Sequence, residues 1–148
     1  MQKKQLLGTV SAVCMLLMLA ACAAGPQVEG QWQPLGETAD GNIRVAVDKA
    51  SIKRNGQSVT FRDRKVVVKP AEMRYVNTPS YKTALGEWEI HCTNRTYRLT
   101  ALTLLAANGR VVAEQRYSAV DLRPMPVQKG SINEKQWQTV CAGSGVGR

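Results

Sequence analysis

Apolar and polar residues alternate along most of the middle of this chain. From Ile43 to Asp48 every second residue is a large apolar one, and a β-strand places alternate side chains on opposite faces. Similar stretches occupy residues 58–61, 88–92, 96–105 and 111–117. The run Arg62-Asp63-Arg64-Lys65 interrupts the alternation, which indicates a bulge or a turn between two strands. The pattern predicts five or six strands.

Turn signals between these stretches indicate antiparallel pairing. Asn55-Gly56 and Asn108-Gly109 are pairs that favour tight hairpin turns. Residues 99–107 also fit a helix, but the hairpin signal that follows them favours a strand. Within that strand two faces are predicted: Tyr97, Leu99 and Ala101 on one, and Arg98, Thr100, Leu102 and Leu104 on the other.

A helix is predicted near the C-terminus. Ser131 and Glu134 have the spacing of a capping box, in which the hydroxyl and the carboxylate each accept from the other residue's backbone N–H. The helix is expected over about residues 132–142, where Ile132, Gln136 and Val140 stack at four-residue spacing and Trp137 and Cys141 lie beside them. The fold class is therefore α+β: an antiparallel sheet of about five to six strands, with the C-terminal α-helix packed on one face.

The first 21 residues have the composition of a lipoprotein signal peptide. Lys3 and Lys4 precede an apolar run, residues 6–19, that is too short to span a bilayer comfortably. The run ends in Leu19-Ala20-Ala21-Cys22, which resembles the bacterial lipoprotein box and predicts lipid chains such as palmitate on Cys22. The alternative is an ordinary secretory signal. Because no aspartate follows Cys22, the outer membrane of a Gram-negative cell is the expected location.

The length of the chain suits one domain, and its charge is strongly positive. The protein has 148 residues and a formal net charge of +9; without Lys3 and Lys4, 18 Lys and Arg residues face 11 Asp and Glu residues, a net of +7. The organisation expected is a signal peptide at 1–21, a lipidated tether at 22–37, one domain at 38–143 and a flexible tail at 144–148. Nucleic-acid binding fits this charge but not the compartment.

The four cysteines leave one possible disulfide in the mature protein. Cys14 is removed with the signal peptide, and Cys22 carries lipid, so Cys92 and Cys141 remain in an oxidising compartment. Their bond would close a loop of about 50 residues, which the chain-entropy model values at about 4 kcal/mol. Two buried free thiols are the alternative.

Few residues could support catalysis or hold a metal ion. His91 is the only histidine, and its strand position places it beside Glu89 on the outward face, away from a nucleophile. One histidine and two disulfide-bonded cysteines do not make a metal site, and no glycine-rich phosphate loop precedes a helix. The sequence therefore predicts no enzyme, no metal and no cofactor.

A binding patch is the remaining candidate site. Five arginines are predicted on the outward face: Arg44, Arg62, Arg64, Arg98 and Arg116. They could engage acidic proteins or lipopolysaccharide; the alternative is a solvated face whose acidic neighbours include Asp63, Glu89 and Glu114. Tyr75 and Tyr81 lie in a loop region, where binding aromatics are expected.

Several stretches of this chain resemble the surface-adhesin protein E family of Gram-negative lipoproteins. The residues that carry the resemblance are Val47-Asp48 with Ser51-Ile52, Tyr81-Lys82-Thr83, Glu89-Ile90-His91-Cys92 with Arg95-Thr96-Tyr97-Arg98, and the helix from Ser131 to Cys141. This sequence departs from the family pattern at two positions: it has His91 where an acidic residue is common, and Thr83 where a serine is common. The resemblance implies a mostly antiparallel sheet with a packed helix.

The resemblance also implies a function. Some members of the family bind host extracellular-matrix or serum proteins and can form homodimers. The expected function is therefore a non-enzymatic, lipid-anchored outer-membrane adhesin with a small binding domain. The alternative is a periplasm-facing accessory lipoprotein of an envelope complex, because the sequence does not show which side of the membrane the domain faces.

Overall fold

The computed structural model describes residues 28–142, and the signal peptide, Cys22 and the tail lie outside this part. The sheet contains the strands β1 (Trp32–Glu37), β2 (Ile43–Asn55), β3 (Ser58–Val67), β4 (Thr83–His91), β5 (Thr96–Leu105), β6 (Val111–Arg116) and β7 (Met125–Pro126). A 3-10 turn (Pro70–Glu72) lies between β3 and β4, and helix α1 (Ile132–Cys141) follows β7. The predicted α+β class is confirmed.

The strands pair in chain order and antiparallel from β1 to β6, and β7 pairs with one end of β5. Asn55 pairs with Ser58 around the two-residue turn at Gly56, whose φ of +59° suits glycine. The second predicted hairpin also forms, since β5 and β6 are paired antiparallel. Gly109, in the turn between them, again has a positive φ. The strand at 32–37 extends the domain into a stretch that the sequence assigned to the tether.

Helix α1 covers one face of the sheet, which we call the inner face. The core cluster beneath it comprises Val47, Val59, Phe61, Ile90, Cys92, Val140 and Cys141. The Ser131 hydroxyl accepts from the Glu134 N–H at 3.1 Å, as predicted for the cap. The Glu134 carboxylate, however, accepts from Gly130 N–H at 2.7 Å and not from Ser131, because the Ser131 N–H is already donated to Gln128.

Strand β5 contains a bulge that changes its predicted faces. Trp88 pairs with Leu99 but Glu87 pairs with Ala101, so Thr100 is left without a partner in the ladder. One extra residue moves every later side chain to the other face. Leu102 and Leu104 therefore join Tyr97 and Leu99 on the inner face, opposite Gly86 and Ala84. The prediction that Ala101 shares a face with Tyr97 and Leu99 was wrong, because Ala101 lies on the outer face between Glu87 and Arg116.

Strand β3 runs without interruption through the charged stretch, so the bulge or turn predicted there was wrong. Asp63 and Lys65 lie on the inner face and neutralise each other, which allows the strand to continue under the helix. Asp63 is fully buried, so it is not an acidic neighbour of the outward arginines. Asp48 does lie on the outer face, but it is also buried, beneath the start of the described chain.

Candidate functional site: a groove on the inner face

A buried polar connection joins the helix to the sheet. Gln136 and Asp63 are both fully buried, and the Gln136 amide donates to the Asp63 carboxylate at 2.7 Å. The same carboxylate accepts from the Gly86 N–H at 3.2 Å and from the Lys65 ammonium. A buried carboxylate needs several donors to replace water. Asp63 has them, so we interpret it as part of the scaffold.

A disulfide fixes the C-terminal end of the helix. The predicted pairing is confirmed: Cys92, just after β4, is bonded to Cys141, with 5.7 Å between their Cα atoms. The Trp137 indole also donates to the Cys92 carbonyl at 3.0 Å. Arg95 has a positive φ in the turn after β4, pairs with Glu134 at 2.8 Å and stacks on Trp137. Arg95 therefore connects the β4–β5 turn to α1.

The five predicted patch arginines do share the outer face, but they are engaged there. Four pair with carboxylates of the same face: Arg44 with Glu37, Arg62 with Asp48, Arg98 with Glu89, and Arg116 with Glu87. Arg64 stacks on the Trp32 ring at 4.5 Å. This arrangement matches a solvated, charge-balanced face better than a free cationic patch.

The first described residues are bound to this outer face. The Trp32 indole donates to the Val28 carbonyl at 3.0 Å, and the Gln31 N–H donates to Asp48 at 2.9 Å. Arg62 donates to both the Glu29 carbonyl and Asp48. We call residues 28–32 with Asp48 and Arg62 the N-terminal clasp. Burial alone would raise the pKa of Asp48, but the hydrogen bonds from Arg62, Gln31 and Ala50 outweigh it and lower that pKa.

Tyr75 and Tyr81 lie on the opposite side of the molecule from the arginines. With Trp88, Leu99, Leu102 and Leu104 they line an open groove of about 410 Å³ on the part of the inner face that α1 does not cover; we call it the tyrosine groove. Gly86 also lines the groove. A side chain at this position would collide with Trp88, because its Cβ would lie 2.5 Å from the indole nitrogen. The predicted site residues therefore separate into two surfaces.

The loop between β3 and β4 forms the rim of the tyrosine groove. The rings of Tyr75 and Tyr81 meet edge to face at 5.3 Å, and the Tyr75 hydroxyl donates to the Tyr81 carbonyl at 2.7 Å. Burial, and then the neighbouring Tyr75, raise the pKa of Tyr81, so its phenol stays neutral. Beside them Val76 is 74% exposed, and Asn77 has a φ of +54°. Val76 and the two tyrosines thus extend the apolar surface of the groove onto an ordered loop, and contiguous apolar surface of this kind is typical of a contact surface.

The sequence pattern does not reveal this groove. It places Val76 only in a short strand or an ordered loop, and it places Trp88 in the core. The bulge that turns Leu102 and Leu104 to the inner face has no local signal in the sequence. Arg74 also lines the groove, and it forms no ion pair with any described residue, so the rim carries a free cation.

The histidine is the last residue of β4, and its side chain has a structural hydrogen bond. His91 Nδ1 accepts from the Asn94 N–H at 3.1 Å. Within residues 28–142, no group of three His, Cys, Asp or Glu side chains is placed to hold a metal ion. Over the same residues no helix is long and apolar enough to cross a membrane.

Over residues 28–142, an antiparallel sheet, a disulfide-bonded helix and an open groove define a small α+β domain of the kind found outside the cytoplasm. The model of the surface-adhesin protein E family matches residues 32–142, and the chain belongs to this family. Membership supports an adhesin-type surface protein, suggests a location at the cell envelope or surface, and suggests a non-enzymatic role. No curated protein matches the sequence.

Two crystal structures have a similar fold. Crystal form II of Haemophilus influenzae protein E is 12% identical, with a TM-score of 0.53, and the match covers 82% of this chain and 96% of that chain. Protein E from non-typeable Haemophilus influenzae is 16% identical, with a TM-score of 0.51 and 83% of each chain covered. At these identities the likeness concerns the fold.

Proposed function

We propose that this chain is an outer-membrane lipoprotein, anchored by lipid on Cys22, that binds host extracellular-matrix or serum proteins without catalysing a reaction. Family membership supports the adhesin class. The observation that carries the binding role is the tyrosine groove, whose rim holds Val76 at 74% exposure next to two tyrosines. Aromatic residues beside an apolar groove are common at the centres of protein interfaces.

The tyrosine groove is a better binding surface than the outer face. Four of the five outer arginines already have carboxylate partners, and a partner protein would have to compete for them. The groove, in contrast, has its one lining carboxylate, Asp63, buried and bonded, while Arg74 is exposed and without an ion pair among the described residues. We therefore infer that the bound segment combines an apolar side chain with an acidic residue.

A matched pair of variants tests the groove. Val76→Asp adds a charge at its rim, and Val120→Asp adds the same charge at a side chain that is 89% exposed elsewhere. In binding of the domain from Ala24 onward to immobilised matrix and serum proteins, we expect Val76→Asp to lose about tenfold in affinity, which corresponds to about 1.4 kcal/mol. Val120→Asp should bind normally.

Two results would contradict the proposed function. The first is a wild-type domain with no saturable binding at physiological salt. The second is protection of the domain when intact cells are treated with protease, which would place it on the periplasmic side and favour an accessory role. Equal binding by both valine variants would reject the groove while leaving adhesion in place.

A further inference from the structure

We propose that the N-terminal clasp holds the outer face of the sheet against the phosphate-bearing headgroups of the membrane that anchors the protein. This proposal rests on the proposed lipidation of Cys22. Its consequence is that the tyrosine groove and α1, which lie on the other side of the sheet, point away from the membrane. Three features support it: the place where the chain leaves the domain, the length of chain before it, and the chemistry of the face.

The clasp determines where the chain leaves the domain. Val28, Glu29 and Gln31 are each bonded to residues of the outer face, through Trp32, Arg62 and Asp48. Gly30 packs directly on the Asp48 carboxylate, 2.8 Å from where a Cβ would stand. The chain therefore leaves from the outer face, opposite the helix.

The connection from the clasp to Cys22 is short. Six peptide steps separate Cys22 from Val28, and a fully extended chain covers at most about 3.5 Å per step, or about 21 Å. A domain of this size has a radius of gyration of about 13 Å and is about 35 Å across. Because the connection is shorter than the domain is wide, it excludes orientations that turn the outer face directly away from the membrane.

The chemistry of this face suits headgroups and not the hydrocarbon core. Among the described residues the exposed large apolar side chains are Val76, Val111, Val120 and Met125. Val76 is at the tyrosine groove, Met125 pairs with Tyr97 of the inner face, and Val120 follows β6 in the chain. Only Val111 is on the outer face, opposite Leu105 on the edge strand β6. Insertion into lipid would therefore bury charge at high cost.

A groove beside the clasp offers both signs of charge. It has a volume of about 720 Å³ and is lined by Glu29, Lys53, Arg62, Glu87 and Thr100, among others. Lys53 and Glu29 form no ion pair with any described residue. A headgroup phosphate can accept from Lys53, and a headgroup hydroxyl or ammonium can donate to Glu29, so a polar headgroup that carries phosphate complements the groove.

The experiment measures which face lies near lipid in the intact lipoprotein. The full chain is expressed in a Gram-negative host, and the lipid on Cys22 is verified by mass. It is then reconstituted in phosphatidylethanolamine vesicles that carry a nitroxide on the headgroup. One variant carries a fluorophore at Thr60→Cys, exposed on the outer face next to the groove, and the other at Gln138→Cys, exposed on α1. We expect quenching at residue 60 to be several-fold stronger than at residue 138.

An insertion variant tests whether the short connection is the cause. Ten Gly and Ser residues inserted after Ala24 leave the domain unchanged and add up to about 35 Å of reach. We expect the ratio of quenching at the two sites to fall towards unity.

Equal quenching at residues 60 and 138 in protein that carries lipid on Cys22 would overturn the proposed orientation alone. An unchanged ratio of quenching at these two sites in the insertion variant would do the same. Absence of lipid on Cys22 would overturn the proposed anchor and the orientation with it.

Discussion

The buried bond between Gln136 and Asp63 predicts a specific loss of stability. Gln136→Met keeps an unbranched side chain of similar length, so little cavity is expected. It removes the donor to Asp63 and also the oxygen that accepts from the Asn133 amide at 3.0 Å, but that amide is only partly buried and can bond water instead. The lost hydrogen bond reaches a charged group at 2.7 Å between two fully buried residues, and such bonds contribute about 1.5–3 kcal/mol. We expect the free energy of unfolding to fall by about 2 kcal/mol. The Tm should fall by roughly 6–10 °C for a domain of this size.

Urea unfolding with the disulfide intact measures this effect. The fluorescence of Trp88 and Trp137, both packed against the core, reports the transition. The midpoint should fall while the m-value stays constant, because the surface exposed on unfolding is unchanged. Gln138→Met is the control, since it makes the same replacement at an exposed position of α1, and it should change stability by less than about 0.5 kcal/mol.

A double-mutant cycle separates the bond from packing. Asp63→Asn removes the charge that Gln136 donates to, so the loss in the double variant should be smaller than the sum of the two single losses. A loss of less than about 0.5 kcal/mol for Gln136→Met, or strictly additive losses, would refute the idea that this bond anchors the helix.

Three further outcomes are expected from the scaffold. Replacing Cys92 and Cys141 by alanine should cost about 4 kcal/mol in the chain-entropy model for a sequence separation of 49; unchanged stability in denaturant would contradict a stapling role. Ser131→Ala removes the helix cap and should cost about 1 kcal/mol in the same titration, and no change would reject the cap. The lowered pKa of Asp48 means that its contribution to stability is complete above the ordinary value of 3.8 and disappears as the pH falls through the lower folded value. Asp48→Asn should therefore lose stability at neutral pH and flatten the acid limb of the pH profile measured by thermal unfolding, whereas an unchanged limb would rule out the clasp as its source.

Local patterns in the sequence were sufficient for much of the fold. The hairpin at Asn55-Gly56 and the cap at Ser131 each depend on residues a few positions apart, so the chain specifies them before any tertiary contact forms. The pairing of Cys92 with Cys141 followed from counting, since the other two cysteines were assigned to the signal peptide and the lipid. These predictions required no knowledge of which strands are neighbours.

The outer face shows why the binding patch could not be predicted in the same way. Alternation places Arg62 and Arg98 on the correct side of the sheet, but it does not say which carboxylates lie across from them. The cross-strand register supplies those partners, with Asp48 opposite Arg62 and Glu89 opposite Arg98. Arginines whose partners the sequence alone does not identify are therefore paired with carboxylates across the strands of the folded sheet.

The sequence by itself determined the antiparallel strands, the capped helix and the disulfide, because each depends on periodicity, local hydrogen bonding or cysteine chemistry. The tertiary structure alone decided which side chains form the tyrosine groove and where the chain leaves the domain. Both depend on pairings between distant residues: the bulge at Thr100 turns Leu102 and Leu104 inward, and Arg62 binds the backbone of Glu29. Such pairings have no signal in the local pattern, since a shift of one residue in register reverses every side chain beyond it.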